Sequence, residues 1–199
     1  MANRRDCPDL ARLLAKLEGQ LSYSEIQGLE SRFELDERPF ESARQSYRKG
    51  YLTKDEAAKL VRWKTGGMYG LVERFCENNE EDGVQRITKA AAEAQTPGAA
   101  VVALCNLRCV AVATASAFLT AQNPDSFGIL DIRCWRSLRN LADDSYFDRG
   151  RRKVFSVDEF KCYTQILRDW GAHAQVELSP RTIDKALWQY DKEQSKKAR

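Results

Sequence analysis

Apolar residues near the start of the chain recur every three or four positions. Leu10, Leu13, Leu14, Leu17 and Leu21 fall on one stripe, which predicts an opening amphipathic helix. Thr53 followed by Glu56 has the spacing of a capping box, and Ala57, Leu60, Val61 and Lys64 continue as a helix until Gly66 and Gly67 stop it. Trp63 and Lys64 then lie on its last turn. A further helix is expected from about Met68 to Asn78. The acidic residues Glu77, Glu80, Glu81 and Asp82 form a solvated turn leading into an alanine-rich helix from about Val84 to Gln95. Thr96 and Pro97 make a start signal, because proline at the first helical position forfeits no intrahelical hydrogen bond. Gly98 to Leu104 supplies an apolar helix, a tight turn runs from Asn106 to Ala111, and a second apolar helix spans Val112 to Ala121. Asn123 and Pro124 end it, and a connector reaches Asp131, which reads as the N-cap of a helix carrying Trp135 and Leu138. Ser156 and Glu159 form another capping box, with Phe160, Tyr163, Leu167 and Trp170 facing inward. Ser179 and Pro180 open the last helix, with Ile183, Leu187 and Trp188 on one face, and the charged segment from Asp191 to Arg199 is expected to fray. Strand-like alternation is missing throughout. The expectation is an all-α chain of roughly eight helices.

Length and composition narrow this further. A chain of 199 residues has room for one domain, or for two small helical lobes sharing one core. With 43% hydrophobic and 31% charged residues, it is neither a disordered chain nor a disulfide-dense miniprotein. The net charge of +3 does not by itself demand a nucleic-acid partner. Arg4, Arg5, Asp6, Asp9 and Arg12 interrupt the N-terminal segment, so it lacks the apolar run of a signal peptide. The apolar window from Gly98 to Ala121 carries Asn106 and Arg108 near its middle and reads as core, not as a membrane span. Six cysteines, at 7, 76, 105, 109, 134 and 162, form no CxxC pair, and His173 is the single histidine. These features predict no zinc site and no metal, and reduced, mostly buried thiols in an intracellular protein (cytoplasm or nucleus).

The two apolar helices, the tight turn between them and the aspartate beyond carry a family resemblance. Leu107-Arg108-Cys109-Val110-Ala111-Val112-Ala113-Thr114-Ala115 resembles, without a gap, the L-P-G-V-G-x-K-T-A hairpin of the helix-hairpin-helix DNA glycosylase superfamily, in its 8-oxoguanine DNA glycosylase-like branch. Asp131 falls sixteen positions beyond Ala115, and Asn123-Pro124 to Ile129-Leu130 is similar to that family's loop into its catalytic aspartate. The likeness is clearest from Ala99 to Leu138 and fainter from Ile183 to Tyr190. Three departures bear on chemistry. Cys109 and Ala111 stand where the hairpin has glycines, which weakens the expected grip of the backbone on a phosphate. Ala113 stands where bifunctional members carry their Schiff-base lysine, so no lyase step can use that position. The four-cysteine cluster of some relatives is missing, so no iron–sulfur centre or other cofactor is expected.

The resemblance implies a compact two-lobed helical domain that binds double-stranded DNA carrying a damaged base, such as 8-oxoguanine. It would hydrolyse the N-glycosidic bond by a monofunctional mechanism, with Asp131 as the catalytic residue. Asp131 also serves as an ordinary N-cap, and the two roles are compatible. The alternative is a catalytically inactive relative that persists as a DNA-binding or protein-interaction module. Candidate DNA contacts are Arg108, Cys109, Val110, Ala111 and Ala113 in the hairpin, together with Arg133, Arg136 and Lys64. Arg133, Arg136 and Arg139 share a helix face, and Arg149, Arg151, Arg152 and Lys153 follow; such a run either holds phosphates or is a solvated surface. Lys64 either complements its helix dipole or replaces the missing lysine. Trp63, Trp135 and Trp170 are candidates to line a base pocket, with Trp188 and Tyr190 behind them, against the commoner role of tryptophan as core. His173 is given no role.

Overall fold

Helix α8 (Val112–Gln122) carries no charged residue, and nine of its eleven residues are buried. A helix that is apolar all round has to be surrounded, and the other elements are arranged about it. In a computed structural model that describes residues 7–149, 154–173 and 178–197, the chain is all-helical, as expected. It begins with α1 (Leu10–Gln20), α2 (Tyr23–Glu30), α3 (Arg38–Tyr47) and α4 (Lys54–Thr65). A 3-10 turn at Met68–Gly70 leads into α5 (Leu71–Asn78), followed by α6 (Glu81–Ala92) and α7 (Pro97–Leu104). After α8 come α9 (Ile132–Ala142), a 3-10 turn at Ser145–Phe147, α10 (Val157–His173) and α11 (Pro180–Lys197). Helices α3, α4, α7 and α10 pack against α8, and α11 lies across α2 and α9. The buried apolar side chains form one contiguous core, from Leu13 on α1 to Leu187 on α11.

Several local expectations hold at the level of single hydrogen bonds. The capping box at the start of α4 is formed: the Thr53 hydroxyl accepts from the Glu56 N–H, and the Glu56 carboxylate accepts from the Thr53 N–H at 2.9 Å. Gly66 ends α4 in the left-handed region at φ 61°, and Thr96 caps α7. The helix expected from Met68 is divided, because Gly70 has φ 61° and separates the 3-10 turn from α5.

Four expectations are corrected. Two helices, α2 and α3, occupy the segment between Leu21 and Thr53, where no helix was assigned, so the described residues hold eleven α-helices. Helix α6 begins at Glu81, inside the acidic stretch read as a turn, because Glu81 and Asp82 sit favourably in its first turn. The last helix continues to Lys197 instead of fraying from Asp191. Asp191 is buried, Glu193 accepts from Arg32 at 2.9 Å, and Lys192 pairs with Glu34 at 3.1 Å, so the charged turns are tied to the body of the protein. The six thiols are not all reduced: Cys7 and Cys162 form a disulfide, their Cα atoms 5.7 Å apart. It joins positions 155 apart in the chain, a pairing that only tertiary folding creates. Cys76, Cys105, Cys109 and Cys134 are free. Among the described residues no helix is long and apolar enough to cross a membrane, and no group of side chains has the makings of a metal site. Arg151, Arg152 and Lys153 lie outside the described residues.

Candidate functional site

The turn between α7 and α8 holds a residue with a side chain in a conformation that favours glycine. Cys109 adopts φ 65°, a left-handed conformation in which a Cβ is strained by roughly 1–2 kcal/mol. An outside residue holds it there. Asn79, buried at the end of α5, accepts the Arg108 N–H at 2.9 Å and donates from its amide to the Arg108 carbonyl at 3.2 Å. Val110 closes the turn by donating to the Leu107 carbonyl at 3.2 Å. Ala111 then precedes α8 and offers no side-chain oxygen to the first N–H groups of that helix. Arg108 and Ala111 are exposed, Cys109 and Ala113 are half-buried, and Val110 is buried. A groove beside the turn is lined by Arg108, Cys109 and Ala111, and also by Thr65 from the end of α4.

From α8 the chain enters the connector to Asp131, which is fixed at several points. The buried Ser116 hydroxyl accepts the Leu130 N–H at 2.9 Å, the Pro124 carbonyl accepts the Arg181 N–H at 3.2 Å, and the Ser126 carbonyl accepts from Arg168 at 2.9 Å. Gly128 permits the closest approach. A Cβ there would stand 2.4 Å from a Leu167 methyl and 2.9 Å from the Asp184 Cβ. The connector thus delivers Asp131 to a defined place.

Asp131 divides its two oxygens between structure and site. Oδ1 accepts the Arg133 N–H at 2.8 Å, the expected cap of α9. Oδ2 accepts from the Lys64 ammonium at 2.7 Å, across the space between α9 and the last turn of α4. The Lys64 side chain is 8% exposed and that of Asp131 27%. Burial alone would raise the Asp131 pKa, but the charge and hydrogen bond of Lys64, the Arg133 N–H and the Arg133 charge outweigh it and hold the group below its usual value. The carboxylate is therefore ionised at neutral pH.

Both residues line one pocket, together with the aromatic rings of Phe33, Trp63 and Trp188. Trp63 is set by its indole N–H, which donates to the Asp36 carbonyl at 2.6 Å, and by an edge contact with Phe40. Trp188 meets Phe33 edge-on and lies under the Arg133 guanidinium, 5.2 Å away. Cys134, Arg181 and Asp184 line the same pocket, and there Asp184 accepts from Tyr163 at 2.6 Å, from the Cys134 thiol at 3.3 Å and from Arg181, which also reaches Glu37 at 2.6 Å. Burial, followed by the nearby charge of Asp184, pushes the Cys134 and Tyr163 pKa values well up, so both remain protonated donors.

The remaining candidates are placed elsewhere. Trp135 is fully buried, donates to the Phe147 carbonyl at 2.9 Å, meets Phe147 and Phe155 edge-on and lies tilted against Tyr146. Trp170 is also buried in the core, and Tyr190 packs on its edge. Neither Trp135 nor Trp170 lines the pocket that holds Asp131. Arg133 and Arg136 both pair with the buried Asp191 of α11, at 3.1 and 2.7 Å, and Arg139 pairs with Asp148. Arg149 is buried against Glu159 and the Phe155 ring. His173 faces Glu18 at 3.7 Å.

Sequence reasoning missed Phe33, Arg181, Asp184 and Asn79. Phe33 lies in an irregular segment that no periodicity marks. Arg181 and Asp184 do show the i, i+3 spacing of a helical ion pair, but their burial follows only from where α11 docks. Compared with known proteins, the chain matches no family model, no curated protein and no solved structure.

Proposed function

We propose that this protein is a DNA glycosylase that hydrolyses the N-glycosidic bond of a damaged base, such as 8-oxoguanine, in duplex DNA. The observation that carries the reading is the Asp131 carboxylate, ionised at a pocket bordered by Trp63 and Trp188 and one residue of α4 away from the hairpin groove. In this reading the extruded base enters between aromatic faces, and Asp131 stands near the sugar. As the bond from C1′ to the base nitrogen breaks, positive charge develops on the sugar, and a fixed anion in a partly desolvated site stabilises that charge more than water does. Water then adds to C1′, with its proton passing to the carboxylate. The open N-terminus of α8 and the exposed Arg108 are the elements proposed to meet a phosphate.

Titration of a fluorescent duplex containing 8-oxoguanine, followed by alkali, tests this reading. Strand breaks that appear only after alkali, and that Asp131→Asn abolishes with binding retained, are the expected result. One observation favours a second reading, a non-catalytic DNA-binding or protein-interaction module: Asp191 already neutralises part of the charge of Arg133 and Arg136. Salt-sensitive binding without base loss would select the DNA-binding form of that reading. An absence of binding at low salt would select the protein-interaction form.

A further inference from the structure

We infer that Cys105 and Cys109 are a redox-active thiol pair: in the groove beside the α7–α8 turn they react with a low-molecular-weight disulfide such as oxidised glutathione and end joined to each other. The inference stands on the two thiols and their groove, whatever the pocket at Asp131 accepts.

The chain from Leu104 to Val110 turns back twice. The Leu104 carbonyl accepts the Leu107 N–H at 3.0 Å, and the Leu107 carbonyl accepts the Val110 N–H at 3.2 Å. Cys105 stands in the first of these turns and Cys109 in the second, and both residues border one groove. Both are free and half-buried, where fully enclosed thiols were expected. Cys134 meets that expectation: it is buried and already donates to Asp184. Cys76, on α5, does not border the groove. A thiol reached by solvent, with a second thiol beside it, is open to exchange, whereas an enclosed structural thiol is inert. Arg108 lies between the two cysteines in the chain, is exposed and borders the same groove, so it offers a cation to the carboxylates of glutathione. Disulfide chemistry already belongs to this fold, in Cys7–Cys162.

The steps balance. Cys109 loses its proton to solvent, and its thiolate attacks one sulfur of oxidised glutathione. The S–S bond of the reagent breaks, one glutathione leaves as thiolate, and a mixed disulfide remains on Cys109. Cys105 then loses its proton, and its thiolate attacks the Cys109 sulfur, forming the new bond and expelling the second glutathione thiolate. Two protein thiols are oxidised, one glutathione disulfide is reduced, and the two released thiolates take up the two protons. Burial pushes the Cys105 thiol up, so it ionises less readily than an ordinary cysteine and acts second, when the mixed disulfide holds its target beside it.

The test incubates the full-length protein with oxidised glutathione, quenches with acid, alkylates the remaining thiols in denaturant and maps tryptic peptides without reduction. Trypsin cuts after Arg108, between the two cysteines, so a bridge keeps peptide 90–108 attached to peptide 109–133, while Cys76 and Cys134 fall in other peptides. The expected result is that linked pair, about tenfold more abundant than any other new disulfide, with Cys134 alkylated. Cys105→Ser is expected to stop at glutathione on Cys109, and Cys109→Ser to leave Cys105 unmodified. No linked pair, a dominant bridge from either residue to Cys76 or Cys134, or a Cys105→Ser protein without glutathione on Cys109 would overturn the inference. Mapping on the unaltered protein decides the matter even if a variant fails to fold.

Discussion

Cys109 and Asp131 are the two single residues whose surroundings make the firmest demands. Cys109 holds φ 65° with a side chain attached. Glycine would adopt that conformation without strain, so Cys109→Gly is expected to exceed Cys109→Ala in stability by about 1 kcal/mol, read from denaturant midpoints at constant slope. Asp131 has its folded pKa depressed below the usual value of 3.8. A group of this kind adds stability that is present above its unfolded pKa and disappears as pH falls through the lower, folded one. Asp131→Asn is therefore expected to be less stable than the parent at neutral pH, with the gap closing below about pH 4. Thermal melts of both proteins from pH 7 to pH 3 check this, and a gap independent of pH would refute it.

At the scale of elements, much of the chain could be read from sequence because its helix signals are local. The capping boxes at Thr53 and Ser156, the Thr96-Pro97 start and the Asp131 cap each need only a few consecutive residues, and each is present as a hydrogen bond. Thr53→Ala is expected to cost about 1 kcal/mol through loss of the α4 cap, measurable by thermal or denaturant unfolding. Helices α2 and α3 were not legible because their buried positions are few, with Ile26 and Leu29 on one and Phe40 and Ala43 among polar residues on the other. Of the candidate site, Asp131, Lys64 and Trp63 were legible as separate residues, but their convergence was not. It depends on how α4 packs on α8 and on where the connector from α8 sets the start of α9, which no spacing along the chain encodes. Trp135 and Trp63 look alike in sequence; burial alone sends one to the core and the other to the pocket. Gly128 marks the tightest packing of the connector. Gly128→Ala is expected to destabilise by roughly 1–3 kcal/mol, because Leu167 and Asp184 would have to give way, and Asp131 would shift with the connector.

For the whole molecule, the Cys7–Cys162 bond ties the segment before α1 to α10 and closes most of the chain into one loop. A cross-link of that span restricts the unfolded ensemble strongly, and its loss is expected to cost ~2–5 kcal/mol. Cys7→Ser and Cys162→Ser should lower the melting temperature alike, and reductant should lower that of the parent but leave both variants unchanged. The charge at this scale is also more balanced than the sequence suggests. Buried Asp191 offsets part of the charge of Arg133 and Arg136, so on the proposed DNA-binding reading fewer counterions would leave than the arginine count implies, and the salt dependence of any duplex binding is expected to be correspondingly shallow.

Asn79 has a consequence for how the hairpin tolerates change. Because one amide side chain from another helix grips both backbone groups of Arg108, the shape of the turn is underwritten by a neighbour and not by its own residues. The two positions should consequently behave as one unit under substitution: Cys109→Gly, a modest gain in the intact protein, becomes a larger one once Asn79→Ala removes the grip, and the two changes do not add. A strained residue survives there because its buttress lies about thirty positions earlier in the chain, and any drift at that distant asparagine would restore the pressure for glycine.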